Sequence, residues 1–391
     1  MEFQLTEEQL AVRDAARDFA QRECLPGVIE RDRDMIFATE QIKKMGELGF
    51  MGMMVSPEYG GGGMDSISYT LAIEEISKID NSCSVCMSVN NSLICWGLET
   101  YGNEAQKIKY LTKLATGQWI GAFCLSEPEA GSDATSQRTT AIDMGDHYLL
   151  NGTKNWITNG SSSSVHLVIA QTHAEKGHKG INALIVEADW PGVEIGAKED
   201  KLGIRSSDTH TVLYNDVKVP KENRIGDDGF GFKFAMKVLS GGRIGIAAQA
   251  LGIAAGAYEL SLKYSKEREA FGKPISQHQA IAFKLADMAT EIEAARLLVH
   301  RAAWLKDNGG NYDSASCMAK LFASDAAMKH TVEAVQVHGG YGFVKEYHVE
   351  RLMRDAKITQ IYEGTSEIQK LVISRNILKG ELYPPLLKAI V

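Results

Sequence analysis

Apolar residues recur at helical spacing through the first 120 residues of the chain. Thr6-Glu7-Glu8-Gln9 has the pattern of a capping box, and the apolar positions that follow it lie on one helical face. Further helices are predicted from Gln41 to Leu48, over residues 66–79 and over residues 104–114. The pattern therefore predicts an all-helical domain at residues 1–120.

The pattern changes after residue 120, where glycines, serines and threonines separate short β-rich runs. The clearest runs are His166–Gln171, Asn182–Glu187 and Thr211–Tyr214. Because no helical segment lies between them, they predict an antiparallel sheet or small barrel rather than alternating strands and helices. We assign this β domain to residues 121–230.

Helical spacing returns after Gly231, and the predicted helices are long. Ser276-Gln-His-Gln279 has the pattern of a second capping box, which predicts a helix that ends near Gly309-Gly310. Another helix is predicted from Asp313 to about Val337. Long helices with short connections favour a bundle at residues 231–391. The predicted fold class is therefore α+β, with a helical domain, a β domain and a helical bundle.

Composition and charge exclude several classes of protein. The 391 residues are 44% apolar and 24% charged, as in an ordinary soluble protein, and the net charge of −8 opposes nonspecific binding to nucleic acids or anionic membranes. Met1-Glu2-Phe3 has no basic leader, so no secretory signal is expected. The apolar stretch from Ile244 to Ala257 is too short for a membrane span and contains Gln249. A cytoplasmic protein is predicted.

The cysteines and glycines predict neither a metal site nor a Rossmann nucleotide site. Cys83-x-x-Cys86 lacks a second pair or nearby histidines, so we interpret it as two small core residues. Gly229-Phe-Gly231 lacks the third glycine of a dinucleotide-binding fingerprint. The six cysteines are scattered through the chain, and this favours reduced thiols over a disulfide framework.

The candidate functional residues lie in two hydroxyl-rich loops and include a carboxylate on a third loop. The loop Phe123–Asp133 combines glycine with serine hydroxyls, and Trp156 presents a flat indole beside the hydroxyl of Thr158. An aromatic face next to polar donors suits a planar heteroaromatic ligand. Glu363 stands just before a predicted helix that Thr365 or Ser366 caps. By itself, such a loop carboxylate is usually solvated.

These motifs together resemble the acyl-CoA dehydrogenases. The resemblance runs in order through nearly the whole chain, and it implies a helical domain, a β-barrel or sandwich domain and a four-helix bundle. The motifs that carry it are Phe123–Asp133, Asn151–Thr158, Lys201–Thr209, Gly242–Ala247, Arg268 with Phe271 and Gly272, Gln336–Gly340, and Ile361–Gln369.

The resemblance implies a flavoenzyme that carries FAD, converts an acyl-CoA to the trans-2-enoyl-CoA and passes electrons to electron-transfer flavoprotein. It assigns Glu363 as the base that removes the α-proton, with the Glu363 N–H and a flavin hydroxyl as donors to the thioester oxygen. Some relatives carry the base at the position that matches Gly242. Glycine cannot act as a base, so the assignment stays with Glu363.

By the same resemblance, the isoalloxazine would be lined by Phe123, Leu125, Ser126, Ser132, Trp156, Ile157 and Thr158. The pyrophosphate and adenosine would be held by Arg268, Phe271, His278 and Gln279. A neighbouring subunit would contribute Gln336, Val337, Gly339 and Gly340, and the site would be completed by Thr365 and Glu367. Sharing the cofactor between subunits implies a homo-oligomer, expected to be a tetramer.

For the CoA substrate, Ser132, Arg243 and Gly364 match family contacts. Ser240 departs from the family pattern, which usually has aspartate there, and Arg375 resembles a CoA-contacting arginine of medium-chain members. The motifs are most similar to those of the short-chain, butyryl-CoA type. Branched short-chain and medium-chain substrates are the alternatives. A related flavin oxidase, or a non-catalytic CoA-binding member without its base, are the other classes considered.

Overall fold

Helices form both ends of the described chain, and strands form its middle. The computed structural model describes residues 4–380, so Met1-Glu2-Phe3 and the outer limits of the first and third predicted domains lie outside the described residues. The helices are α1 Glu7–Phe19, α2 Val28–Asp34, α3 Thr39–Glu47, α4 Ser66–Ser77, α5 Asn81–Ser88, α6 Trp96–Tyr101, α7 Glu104–Gln106, α8 Thr112–Ala115, α9 Gly231–Glu267, α10 Gln279–Asp307, α11 Asp313–His338, α12 His348–Ala356 and α13 Ser366–Leu378. The strands are β1 Gly121–Cys124, β2 Thr140–Asp143, β3 His147–Thr158, β4 Val165–Gln171, β5 Ile181–Glu187, β6 Val193–Lys198, β7 Thr209–Pro220, β8 Glu269–Ala270 and β9 Lys273–Pro274.

The α+β fold class is confirmed, and the described chain divides into two compact units. One unit, here the helical unit, contains the chain up to Ile29, Ser66–Asn81 and the chain from Arg243 onward. The other, here the sheet unit, contains Glu30–Asp65 and Ser82–Gly242. The predicted division into three domains, at residues 1–120, 121–230 and 231–391, stays a prediction.

The sheet unit is built around a seven-stranded sheet with the order β1-β4-β2-β3-β7-β6, and β5 pairs with β4. Most neighbours are antiparallel, as predicted, but β4 runs parallel to β1, from the Gly121–Val165 pair to the Cys124–Val168 pair, and to β2 at the Thr140–Gln171 pair. The sheet is therefore mixed. Residue alternation within a strand does not identify its partner strand, so the pattern could not have revealed these parallel pairs.

The strands β4 and β5 are the most deeply buried strands of this sheet. Six consecutive residues are buried in each, which explains their mostly apolar sequences, and His166 and Asn182 are the buried polar residues among them. Their side chains join residues from β1, β2, β3 and β7 in one apolar core. This core supports the strand ends from which the candidate loops extend.

Two buried asparagines connect the sheet to the helices of the same unit. Asn90 Oδ1 accepts a hydrogen bond from the N–H of Gly121 at the start of β1, at 3.0 Å, and its Nδ2 donates to Met51 O. Asn91 Oδ1 accepts from the N–H of Met53 at 2.8 Å. Because buried amides require partners, Asn90 fixes where β1 begins, and Asn91 fixes the helical segments around Met53.

The helix ends of the helical unit test the predicted caps. At α1 the capping box of Thr6 and Gln9 is present. The one predicted at Ser276–Gln279 is wrong, because Ile275–Gln277 forms a 3₁₀ turn and α10 begins at Gln279 without a side-chain cap. The Ile275 N–H instead donates to Arg268 O and closes the β8–β9 hairpin.

The helix α9, which contains the stretch from Ile244 to Ala257, is long and apolar enough to cross a membrane by length and composition alone. However, 94% of its most apolar window is buried inside the protein. Core helices of soluble proteins have the same composition and burial. The helix also packs tightly at Gly252. A Cβ placed there would lie 2.4 Å from Glu74 O and 2.6 Å from Ser77 Cβ.

The contact at Gly252 predicts whether a substitution by alanine raises or lowers the stability of the protein. Alanine is favoured over glycine in a helix interior by about 1 kcal/mol, so helix propensity alone predicts that Gly252→Ala is stabilising. The backbone carbonyl of Glu74 cannot move aside as a flexible side chain would, so we expect a net destabilisation of roughly 2 kcal/mol. Urea unfolding followed by circular dichroism measures this difference. An unchanged or higher midpoint would show that α4 and α9 separate at little cost.

Candidate active site

The Glu363 loop lies between two helical segments of the helical unit. A 3₁₀ turn over Lys357–Gln360 ends before it, and α13 begins at Ser366 after it. Thr365 is the N-cap, as predicted, and its Oγ1 accepts from the N–H of Ile368 at 3.4 Å. The loop is therefore anchored at both ends by helical structure.

The backbone of this loop adopts a conformation that side chains disfavour. Glu363 has a φ of +52°, and Gly364 follows with a φ of +94°. Only a few per cent of non-glycine residues have a positive φ, and they persist where the surrounding structure holds them. Here Gln369 Nε2 donates to Glu363 O at 3.2 Å and to Gly364 O at 2.7 Å, and Lys320 Nζ donates to Gly364 O at 2.6 Å.

The Glu363 carboxyl group is not solvated in the way that isolated loop carboxylates usually are. Its Oε2 atom is buried and has no hydrogen-bond partner within residues 4–380. Burial raises the pKa of Glu363 from its ordinary value of 4.5 to about 7, against the opposing effect of the positive charges of Lys320 and Arg243. A carboxyl group with a pKa near neutrality is well matched to general-base catalysis at physiological pH.

Two cations lie near this carboxyl group, and sequence reasoning identified only one of them. Arg243 on α9 is buried, and its Nη1 donates to Cys317 Sγ at 3.4 Å. Lys320 on α11 is fully buried, and burial lowers its pKa to about 8. The sequence contained a signal for Lys320, because it shares a helical face with residues that are all small, Ser316, Ala323 and Ala327.

Tyr362 extends the polar surroundings of Glu363. Its hydroxyl donates to Gln249 Oε1, and Gln249 Nε2 donates to Asn81 O at 3.0 Å. Gln249 is completely buried in α9. Gln249, which interrupts an apolar stretch of the sequence, is thus hydrogen-bonded to the neighbour of the candidate base.

In the sheet unit, a buried ion pair supports the predicted isoalloxazine loop. Lys154 Nζ donates to Glu127 Oε1 at 2.7 Å and to Leu125 O at 3.0 Å. The Ser126 carbonyl accepts from the N–H of Asn155 at 2.9 Å. Of the predicted contacts in this loop, three are half-buried and the last is exposed: Phe123, Leu125, Ser126 and Ser132.

A register shift in β3 directs Trp156 outward. The pairing with β7 is irregular between Lys154 and Ile157, and Trp156 has a φ of +58° with 54% of its surface exposed. Bulges of this kind re-aim side chains at functional sites. By contrast, the Ile157 side chain is buried in the sheet core, so only its backbone is available to a ligand, and Thr158 is half-buried.

The β8–β9 hairpin presents the second group of predicted cofactor residues. Its two-residue turn, Phe271-Gly272, has positive φ at both positions, and 96% of the Phe271 surface is exposed. His278 Nε2 lies 3.0 Å from Ala270 O, and its ring contacts Phe271 edge-on. Gln279 is exposed at the start of α10.

A cavity of about 560 Å³ in the helical unit brings two separate motifs together. Arg268 lines it beside Val337, Gly339 and Gly340, and the Arg268 guanidinium lies 5.8 Å from the centre of the Tyr341 ring. The family resemblance implied that only the second motif, Gln336–Gly340, comes from a neighbouring subunit. Because one chain carries both motifs in one cavity, they form a single group. Gln336, on the last turn of α11, is exposed.

The remaining predicted residues have less distinctive surroundings. Ser240 is buried, and its hydroxyl donates to Met236 O within α9, at 3.1 Å. Arg375 is exposed on α13, about 14 Å along the helix from its first residue. Glu367 is exposed in the first turn of that helix. Within residues 4–380 the cysteines are buried free thiols, and no group of three His, Cys, Asp or Glu side chains could hold a metal ion.

Comparison with known proteins finds one family along the whole chain. The family model described as "Acyl-CoA dehydrogenase, N-terminal domain" matches residues 6–118, the "middle domain" model matches residues 122–217 and the "C-terminal domain" model matches residues 229–378. The "Acyl-CoA dehydrogenase, short-chain specific" of Clostridium acetobutylicum is 50% identical over 379 residues, which cover 97% of this chain and 100% of the relative.

Solved structures agree with the sequence matches. The butyryl-CoA dehydrogenase of Megasphaera elsdenii superposes with a TM-score of 0.95 at 48% identity, covering 97% of this chain and 100% of that one. A chain in the structure described as "Electron transferring flavoprotein of Acidaminococcus fermentans: Towards a mechanism of flavin-based electron bifurcation" gives a TM-score of 0.96 at 51% identity, with the same coverage.

The raised pKa of Glu363 predicts a pH-dependent stability. Between about pH 4.5 and pH 7 the folded chain keeps a proton on this carboxyl group that the unfolded chain releases, so stability falls as pH rises through this window. Glu363→Gln removes this loss and should stabilise the protein above pH 7 by up to about 3 kcal/mol. Thermal unfolding from pH 5 to pH 8 measures the difference. Glu346→Gln, at an exposed position, is the control, and a constant difference between wild type and Glu363→Gln at every pH would contradict the assignment.

Proposed function

The chain belongs to the acyl-CoA dehydrogenase family, and from this we propose that it oxidises short-chain acyl-CoA thioesters to trans-2-enoyl-CoA with FAD as cofactor. The observation that carries the proposal is Glu363, whose carboxyl group has a buried oxygen, a pKa near 7 and a constrained backbone. A non-catalytic CoA-binding protein would not require such a group. The short-chain assignment is supported by the relatives named short-chain specific and butyryl-CoA dehydrogenase.

The residues of this chain fit FAD, which is the cofactor of the family. The sheet unit offers the exposed indole of Trp156 for contact with a flat ring system, beside a loop fixed by Lys154. The helical unit offers Arg268, whose fork of donors suits a pyrophosphate, in the cavity described above. When bound, FAD supplies the two-electron acceptor that the oxidation requires.

Glu363 supplies the base. Its Oε2 would take the proton from the α-carbon of the thioester, because this atom is desolvated and has no competing hydrogen bond in the described chain. Desolvation by the substrate would strengthen the base further. The N–H of Glu363 has no acceptor within residues 4–380 either, so it is available to the thioester oxygen, where negative charge develops as the α-proton leaves.

We propose electron-transfer flavoprotein as the electron acceptor. The support is the 51% identity to a chain in the structure named for the electron transferring flavoprotein of Acidaminococcus fermentans. A flavin oxidase would instead pass electrons to oxygen. Rapid reoxidation of the substrate-reduced enzyme in air would favour an oxidase, whereas slow reoxidation together with fast transfer to electron-transfer flavoprotein would support the dehydrogenase.

We also propose that the protein is a cytoplasmic homotetramer. Large apolar side chains are exposed on three helices of the helical unit, more than an isolated surface normally carries: Phe283, Leu297 and Trp304 on α10, Phe322 and Val332 on α11, and Leu371, Ile377 and Leu378 on α13. Subunit contacts would cover them. The exposed Phe271 hairpin and the Arg268 cavity would then serve the cofactor of a neighbouring subunit together, as one group.

Glu363→Gln tests the catalytic assignment. Glutamine keeps the size and polarity of the side chain but cannot accept the proton, so FAD and acyl-CoA should still bind while flavin reduction falls by about 10³-fold or more. Anaerobic stopped-flow spectroscopy of flavin bleaching with butyryl-CoA measures the rate. Near-normal reduction in this variant would refute Glu363 as the base. The wild-type rate with a panel of straight, branched, short and medium acyl groups identifies the preferred chain.

Arg268→Met tests the proposed cofactor cavity. Loss of the guanidinium removes charged hydrogen bonds to the pyrophosphate, so we expect FAD affinity to fall by about tenfold or more while the chain stays folded. Dialysis followed by absorbance of the retained flavin measures the affinity, and sedimentation reports the oligomeric state. The control is Arg301→Met, at an exposed position of α10. Equal FAD retention in the two variants would exclude Arg268 from the cofactor site.

A further inference from the structure

Lys320 is completely buried, although its ammonium group donates a single hydrogen bond within the described residues. Its relative exposure is 0%, and its ammonium group, with three donors, has one acceptor within residues 4–380, the carbonyl of Gly364 at 2.6 Å. Burying a cation with so few hydrogen bonds is costly unless an opposite charge lies nearby. The Glu363 carboxyl group is the nearby group that favours the charged form of Lys320 most strongly.

The Gly364 carbonyl already has another donor. Gln369 Nε2 donates to it at 2.7 Å and also reaches the Glu363 carbonyl at 3.2 Å. Gln369 is fully buried and packs directly on Gly364, where an added Cβ would lie 2.8 Å from its Nε2. Gln369 therefore restrains both carbonyls as a neutral donor. What Lys320 adds is a third hydrogen bond and a positive charge.

We propose that Lys320 is a positioning residue for the dehydrogenation: it holds the Glu363–Gly364 backbone in its left-handed conformation through the Gly364 carbonyl, and its charge stabilises the ionised carboxylate of Glu363. The inference rests on the proposed role of Glu363 as the base. It goes beyond that role because it assigns the loop conformation and the ionisation of Glu363 to Lys320, a residue on a different helix, α11. Lys320 need not touch the substrate.

The other charged and titratable groups around Glu363 are few. Arg243 on α9 acts on the carboxylate in the same direction as Lys320, and Tyr362, in the same loop, has its hydroxyl bonded to Gln249. Around Lys320 itself, Arg243 disfavours its charged form, whereas the groups that favour it besides Glu363 are Cys317 and Asp325. The positive charges of Arg243 and Lys320, on two different helices, therefore both stabilise the ionised form of Glu363.

Three substitutions separate the charge of Lys320 from its hydrogen bond. Lys320→Met removes both, Lys320→Gln keeps a donor without the charge, and Lys320→Arg keeps the charge. Lys263→Met, at an exposed position of α9, is the control for loss of a lysine from the same unit. Each variant is studied as the FAD-loaded full chain, and retained flavin with cooperative thermal unfolding establishes that it is folded.

The first measurement is the protonation of Glu363 itself. Infrared difference spectra across a pH titration follow its carboxyl C=O band, which is assigned by its absence from Glu363→Gln. Removing a nearby positive charge destabilises the carboxylate, so the midpoint should rise by about one pH unit in Lys320→Met and Lys320→Gln. Lys320→Arg and the Lys263→Met control should titrate like wild type.

The second measurement is the rate of flavin reduction by saturating butyryl-CoA as a function of pH. At pH 7 a smaller fraction of Glu363 is ionised in the uncharged variants, so we expect reduction to slow by about fivefold in Lys320→Gln, and by more in Lys320→Met because the methionine also loses the hydrogen bond. The deficit should shrink as the pH is raised, and Lys320→Arg should recover most of the rate.

An unchanged infrared midpoint in Lys320→Gln would overturn the proposal, as would a rate deficit that is the same at every pH. If Lys320→Met does not fold, the comparison between Lys320→Gln and Lys320→Arg still decides. Failure of the proposed function is distinguishable, because Glu363→Gln would then reduce flavin normally whatever Lys320 does. Failure of this inference would leave Glu363→Gln inactive while the Lys320 variants behave like wild type.

Discussion

The desolvation of the Glu363 carboxyl group is the constraint on which the candidate active site depends. An ionised carboxylate without hydrogen bonds is unfavourable inside a protein, and this raises its affinity for a proton. Arg243 on α9 and Lys320 on α11 oppose that effect with their positive charges. Because these groups come from helices far apart in sequence, the pKa of Glu363 depends on how the helical unit packs. The raised pKa of this candidate base is thus a property of the tertiary structure.

Positive φ angles occur at several non-glycine residues, three of which are predicted site residues. Glu363, Trp156 and Phe271 all combine a side chain with a positive φ, and each lies in a motif assigned to the cofactor or the substrate. Their surroundings hold them: carbonyl-directed hydrogen bonds at Glu363, a register shift in β3 at Trp156 and a two-residue hairpin turn at Phe271. Such conformations persist only where neighbouring structure determines them, and they concentrate at functional sites.

The two fully buried lysines named here use their charge in a similar way. In the sheet unit Lys154 donates to the Leu125 carbonyl and pairs with Glu127, and in the helical unit Lys320 donates to the Gly364 carbonyl near Glu363. Each binds the backbone of a candidate loop and lies near a buried carboxyl group. Loops are usually more mobile than the elements they connect, and these contacts restrain the two candidate loops.

The sequence by itself determined the order of helices and strands, the family resemblance and the candidate base, because periodicity, caps and motifs are written in short stretches. It predicted the cap at Thr6 and a cap at Thr365 or Ser366, of which the structure shows Thr365, but it also predicted a capping box at Ser276 that hairpin closure prevents. Only the tertiary structure decided which strands pair, that β1 runs parallel to β4, and that Arg268 shares a cavity with Gly339. It alone brought Lys320 to Glu363. These relations depend on contacts between residues distant in sequence, where burial and charge act through space. A local pattern such as the face of small residues around Lys320 indicates a buried position but does not identify its partner.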